Sequence, residues 1–225
     1  MKKLFAIAIC AGIFTTATSQ VCIQGGLNLA NITKSTSGET QKNNLLTTFN
    51  AGVLGRINIA DPLAFETGLL LDGRGSKSEN GSGNNYYKAT FNPLYLEIPA
   101  NLVVRIPFQN NASNLFINAG PYVAMGIAGK NKVDGKLLGV EFHTSKDIKF
   151  TSADPTADDN AFDKLKRFDY GVNVGAGVDI GAVLIKVNYG MGLAKINSKQ
   201  TNNSEDAKNK YRTVSISLGI PLSGR

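Results

Sequence analysis

The sequence predicts an all-β protein: eight antiparallel strands in up-and-down order, closed into a barrel that crosses a membrane. Three observations carry that expectation. Apolar and polar residues alternate with period two through eight segments, the pattern of a strand with two unlike faces and not of a helix. The polar connectors between those segments are alternately long and short, as in barrels whose turns lie on one side of a bilayer and whose loops lie on the other. No internal run of the 225-residue chain comes near the ~20 consecutive apolar residues that a spanning helix requires.

Taken in order, the first segment covers about Cys22 to Ile32 and sets Ile23, Gly25, Leu27 and Leu29 against Gln24, Gly26 and Asn28. From Thr48 to Ile59, Phe49, Ala51, Val53, Ile57 and Ile59 oppose Asn50, Gly52, Arg56 and Asn58. In the third, Leu63, Phe65, Thr67, Leu69 and Leu71 oppose Glu66, Gly68 and Asp72. The fourth and longest runs through Leu94, Leu96, Ile98, Ala100, Leu102, Val104 and Ile106, interleaved with Tyr95, Glu97, Asn101 and Arg105. The fifth alternates Leu115, Ile117, Val123, Met125 and Ile127 with Asn118, Gly120 and Gly126. The sixth sets Phe168, Tyr170, Val172, Val174, Val178 and Ile180 against Asp169, Gly171, Asn173, Gly175, Gly177 and Asp179. Val183, Ile185, Val187, Tyr189, Met191 and Leu193 then oppose Lys186, Asn188, Gly190 and Gly192; last, Val214, Ile216, Leu218 and Ile220 oppose Ser215, Ser217 and Gly219. Each segment is about the 9–11 residues of a tilted membrane strand.

The long connectors are 33–47, 74–88, 129–167 and 196–210, rich in Asn, Lys, Ser and Gly; the short ones are Ala60-Asp61-Pro62, Pro107 to Asn114, and the turn near Gly181-Ala182. Segment 129–167 is unusually long for a structureless link. Loops on a rigid scaffold commonly carry recognition, so a protein partner is expected there.

Alternation alone cannot say which face is inside. A soluble, lipocalin-like barrel that binds an apolar ligand has its apolar rows inward; a membrane barrel inverts this, because hydrocarbon cannot hydrate a polar side chain. Residue size decides. An eight-stranded barrel has an interior only wide enough for side chains to fill. Rows of Leu, Ile, Val and Phe would overcrowd it, whereas Gly, Asn, Ser and a few charges fit. The polar rows are therefore expected inside and the apolar rows against lipid. The inward charges form the candidate site, a lumenal network of Arg56, Glu66, Glu97, Arg105, Asp179 and Lys186. Arg56 and Glu66 lie equally far from the Asp61 turn, Asp179 and Lys186 flank Gly181, and Glu97 and Arg105 share the inner face of the fourth strand. Mixed signs predict a plug of ion pairs and not a charge-selective pore.

The N-terminus reads as a cleaved export signal, residues 1–19, followed by the barrel domain, 20–225. Met1-Lys2-Lys3 is a basic start, Leu4 to Phe14 an apolar run too short to span, and Ala17 and Ser19 are small residues placed for cleavage before Gln20. Neither Cys10 nor Cys22 follows a small residue, so no lipid attachment site is expected, and cleavage would leave Cys22 without a partner for a disulfide. The destination predicted is the cell outer membrane.

Constellations that carry chemistry are sparse. His143 is the single histidine, in the longest connector, with no carboxylate or nucleophile fixed beside it by spacing; a solvated loop histidine is expected and no catalytic triad. One histidine and one remaining cysteine make no ordinary zinc site. Gly171, Gly175, Gly177 and Gly181 lack the Lys-Ser/Thr and the helix of a phosphate loop. Asp154, Asp158, Asp159 and Asp163 match no calcium-loop spacing. Lys and Arg are scattered and not gathered on one face, which argues against nucleic acid. No enzyme, cofactor or metal is expected.

Several segments resemble the outer-membrane β-barrel domain typified by the PorT-like proteins of the Bacteroidota: Tyr95-Leu96-Glu97-Ile98-Pro99, Ala119-Gly120-Pro121-Tyr122, the run from Phe168 to Gly177, and Gly26-Leu27-Asn28-Leu29. The resemblance extends over essentially the whole chain after residue 19. It implies eight strands, both termini in the periplasm and long loops at the cell surface, and it implies that Pro99 and Pro121 mark local bulges. The chain's last residues, Ile220-Pro221-Leu222-Ser223-Gly224-Arg225, depart from the aromatic ending usual in such barrels. Three roles follow as expectations: a non-enzymatic envelope barrel with surface-contact loops, an accessory part of a protein-secretion system, or the soluble lipocalin-like carrier.

Overall fold

A computed structural model describes residues 19–36, 39–42, 45–83, 85–108, 113–137, 139–151, 164–194, 196 and 209–222. Segment 1–18 of the expected export signal and Asp154, Asp158, Asp159 and Asp163 lie outside the described residues. The strands are β1 (Ser19–Thr36), β2 (Glu39–Lys42), β3 (Leu46–Ala60), β4 (Leu63–Gly73), β5 (Ser76–Ser82), β6 (Asn85–Phe108), β7 (Ser113–Leu137), β8 (Val140–Asp147), β9 (Lys149–Thr151), β10 (Lys164–Lys166), β11 (Phe168–Asp179), β12 (Leu184–Gly192) and β13 (Lys210–Pro221).

Eight of these close on themselves in the order β1–β3–β4–β6–β7–β11–β12–β13 and back to β1, every pair antiparallel. On β1, Leu27 faces Phe49 of β3 on one side and Ile216 of β13 on the other. The eight segments of alternating sequence are these eight strands. Closure satisfies the backbone donors and acceptors that an open sheet would leave at its edges.

The long connectors hold more structure than their composition announces. β2 folds back on β1, β5 extends the hairpin with β6, and β8 pairs with the end of β7. β6 and β7 run to 24 and 25 residues, well past the 9–11 of a membrane strand, and stay paired as far as Tyr86 opposite Lys136. A sheet of β5, β6, β7 and β8 thus stands out from the long-connector end of the ring.

The prolines do not make the bulges expected of them. β6 and β7 keep register through Pro99 and Pro121, with Pro99 opposite Tyr122 and Leu102 opposite Ala119; the slip lies at Leu94/Tyr95, beside Pro93. A proline deletes one ladder donor, and the paired residues on either side hold the register.

The faces sort as the residue sizes require. Leu27 is 62% exposed, Val123 58% and Leu218 57%, and Ile98, Leu102, Ile117, Val174, Val187 and Ile216 share that outer surface. Gln24, Asn28, Asn50, Arg56, Glu66, Asp72, Glu97, Asn101, Asp169, Asn173 and Lys186 are buried. A soluble carrier of apolar ligands needs the reverse, so the lipocalin-like reading fails on orientation. Two apolar clusters lie inside the ring, one at each end. Ala64, Val103, Phe116 and Leu184 pack at the short-turn end. Tyr95, Tyr122, Tyr211, Phe91, Ile32 and Ala124 pack with Ile148, Leu165 and Ile196 at the other.

Candidate functional site

The interior between those clusters holds two groups of charges, and the larger is centred on a residue that the sequence placed in a connector. Arg74 continues the inward row of β4 one step beyond Asp72, just past the strand's end. Its backbone NH donates to Pro93 O at 2.9 Å. Gly75 follows at φ 134, a conformation that L side chains rarely adopt, and the chain turns there into β5. Alternation therefore aims the Arg74 side chain into the barrel.

There its guanidinium meets three carboxylates. Nε donates to Asp72 Oδ2 at 2.5 Å, Nη2 to Glu97 Oε2, and Nη1 to both Asp169 Oδ2 and, at 3.3 Å, Tyr122 Oη. Each carboxylate comes from a different strand or strand end, so Arg74 ties β4, β6 and β11 across the lumen. Tyr122 Oη donates to Asp169 at 2.9 Å, Asn173 to Glu97 at 2.9 Å, and Asn28 to Asp72 at 2.6 Å. The guanidinium lies 4.6 Å from the Tyr122 ring centre, 5.2 Å from Tyr95 and 6.0 Å from Tyr211, all within cation–π range. Arg74 is thus held in a cage of carboxylates and tyrosines.

The second group is centred on Glu66, 2% exposed. Arg56 faces it across the β3–β4 ladder and binds at 2.8 Å; Lys186 reaches it from β12 at 2.5 Å, and Asn101 donates to it at 3.2 Å. Arg56 also lies over Phe116, 4.7 Å from the ring centre.

The six candidate residues therefore divide. Arg56, Glu66 and Lys186 form one cluster, and Glu97 joins Arg74. Arg105 lies at the rim, 3.6 Å from the exposed Asp61 of the short turn. Asp179 is buried and accepts from the Gly181 NH at 2.9 Å. Lys186 turns to Glu66 because that residue projects into the same lumen from the opposite wall, a proximity that sequence distance hides. Arg74 and Tyr211 escaped the sequence reading, although the parity of Glu66, Gly68, Asp72 and Arg74 was the signal that could have found the first.

Between the clusters lies a cavity of about 40 Å³, lined by Asp72, Arg74 and Glu97 on one side and Lys186, Asn188 and Ser217 on the other. It suits about three waters and no larger solute. Among the described residues Gln24 Oε1 and Asn101 Oδ1, which border it, meet no protein donor. Replacing Glu66 with Gln should cost about 3 kcal/mol, since Arg56 and Lys186 stay charged and buried while losing the carboxylate that neutralises them. Urea unfolding followed by gel mobility measures this.

His143 is exposed, as expected, but it lies on β8 and not in a loop, and it does have a carboxylate beside it. Asp134 of β7 lies opposite in register, and its Oδ1 pairs with His143 Nδ1. The β7–β8 hairpin brings together residues that the sequence separates by a turn.

Residues 15–198 match the family model described as the outer membrane protein beta-barrel domain. Among solved structures the chain is similar to Ail, the attachment invasion locus protein of Yersinia pestis, at 15% identity, 91% of this chain, 99% of that one and a TM-score of 0.42. It is also similar to Neisserial surface protein A (13% identity, 90% and 97% covered, TM-score 0.42). A third is OprG from Pseudomonas aeruginosa (10% identity, 92% and 97% covered, TM-score 0.40). No curated protein matches the chain.

Proposed function

The chain belongs to the outer membrane protein β-barrel domain family, and from that premise we propose that it is a non-enzymatic envelope barrel with a plugged, non-conducting lumen. Residues 1–19 are its cleaved export signal, the long connectors face the cell exterior, and the sheet of β5, β6, β7 and β8 makes contact there with a partner or with the envelope surface. The observation that carries this reading is the filled interior. Arg74 with its three carboxylates, and Glu66 with Arg56 and Lys186, span the lumen from wall to wall. The cavity left between them, about 40 Å³, holds about three waters in all.

Purified protein in proteoliposomes tests both halves of this reading. The barrel should run with heat-modifiable mobility on a gel and add no ion flux above that of empty liposomes. Steady single-channel conductance would overturn the plug.

A role as an accessory component of a protein-secretion system, in the manner of PorT-like barrels, is the second reading. The observation that favours it is the extension of β6 and β7 at the long-connector end, paired as far as Tyr86 opposite Lys136, which offers a rigid arm for docking. A pull-down from detergent-solubilised envelopes should then return a stoichiometric protein partner. Its loss on shortening the β7–β8 turn would assign the contact to that arm.

A further inference from the structure

We infer that residues 148–151 and Lys164–Lys166 form a lid that shuts the long-connector mouth of the barrel and keeps the Arg74 cage from outside water until it lifts. The inference rests on the proposal that the long connectors face the exterior.

β9 and β10 pair in parallel, with Phe150 opposite Leu165, and so bring the middle and the end of the longest connector together over the mouth. Ile148 and Leu165 are buried there with Ile196, against Tyr95, Tyr122 and Tyr211. These are the same three rings that enclose Arg74. Phe150 meets Tyr95 edge to face, with centroids 5.6 Å apart, and lies over Gly126, where any Cβ would overlap its ring. The apolar side chains of the lid thus form a dry layer directly outside a buried ionic cluster.

The attachment is unlike the rest of the wall. β9 and β10 are three residues each. Among the described residues, their backbone ties outside the strand ladders are Ile148 NH to Gly129 O at 3.0 Å, Lys166 NH to Ile196 O at 3.3 Å, and Gly126 NH to Arg167 O at 2.7 Å just beyond. Side-chain packing does most of the holding, so the lid can separate while the eight-stranded ladder stays whole. Segments with few backbone bonds open at a fraction of the global unfolding cost.

The test uses the full chain in its own membrane, with Cys22→Ser to remove the native thiol. Ala124→Cys places a thiol beneath the lid, since Ala124 is buried in that cluster. Thr144→Cys on exposed β8 is the outside reference. A membrane-impermeant maleimide is added to intact cells, and heat-modifiable mobility checks folding. With the lid intact, the Ala124→Cys thiol should react roughly a hundredfold more slowly than the Thr144→Cys thiol. Phe150→Ser with Leu165→Ser, or Gly126→Val as a separate wedge under Phe150, should remove most of that difference. Equal rates with the lid intact overturn the proposal even if every lid variant fails to fold, and so does protection that survives both kinds of variant. A Thr144→Cys thiol that reacts only after cells are broken would instead reverse the orientation, and with it the placement of the lid outside.

Discussion

Replacing Arg74 with alanine should lower the barrel's unfolding free energy by about 4 kcal/mol, the usual cost of removing one partner from a buried ionic group. Asp72, Glu97 and Asp169 converge on this guanidinium, and without it three buried carboxylates would face one another with no counter-charge. Its cation–π contacts with Tyr95, Tyr122 and Tyr211 would be lost as well. Arg74→Lys keeps the charge but cannot serve three acceptors with a planar fork, so it should fall between wild type and alanine. Adding Asp72→Asn and Asp169→Asn to Arg74→Ala should recover part of the loss, because the uncompensated charge is then removed too. Urea unfolding in detergent, followed by gel mobility, gives the midpoints. An unchanged midpoint for Arg74→Ala would show that the cage is incidental to stability.

The second large effect is at a position that looks harmless. Val174, at the middle of β11 between Ala119 and Tyr189, is 56% exposed, and in water an arginine at such a site would shift stability by about 0.5 kcal/mol at most. Here the exposed row faces hydrocarbon, where arginine at mid-membrane costs about 3 kcal/mol. Val174→Arg should therefore reduce folding into liposomes of defined composition. An equivalent change at the tip, Val140→Arg on β8, should be neutral. Equal tolerance at both positions would contradict the membrane orientation of the outer rows.

Much of the fold was legible because a strand carries its two environments in strict alternation. In β11, Val172 and Val174 face outward while Asp169 and Asn173 face inward, and no competing periodicity blurs the pattern. The turn at Asp61 also fixed the Arg56–Glu66 pair by simple counting outward from it. The connectors were less legible. β8 alternates no clear apolar row, with Glu141, His143, Ser145 and Asp147 on one side and Val140, Phe142, Thr144 and Lys146 on the other. Its pairing comes from the extension of a hairpin already begun by β7. Pro99 likewise looked like a bulge, because a missing donor is visible in sequence and the neighbouring pairs that keep register are not.

Local alternation, the sizes of the alternating residues and the sorting of connector lengths by themselves determined eight strands, their order and which face meets lipid. These are properties of near neighbours along the chain. Which charges meet across the lumen was decided only when the ring closed. Lys186 reached Glu66 across 120 positions and Asp169 reached Arg74 across 95, because barrel closure and strand stagger, and not sequence separation, set the distance between facing walls.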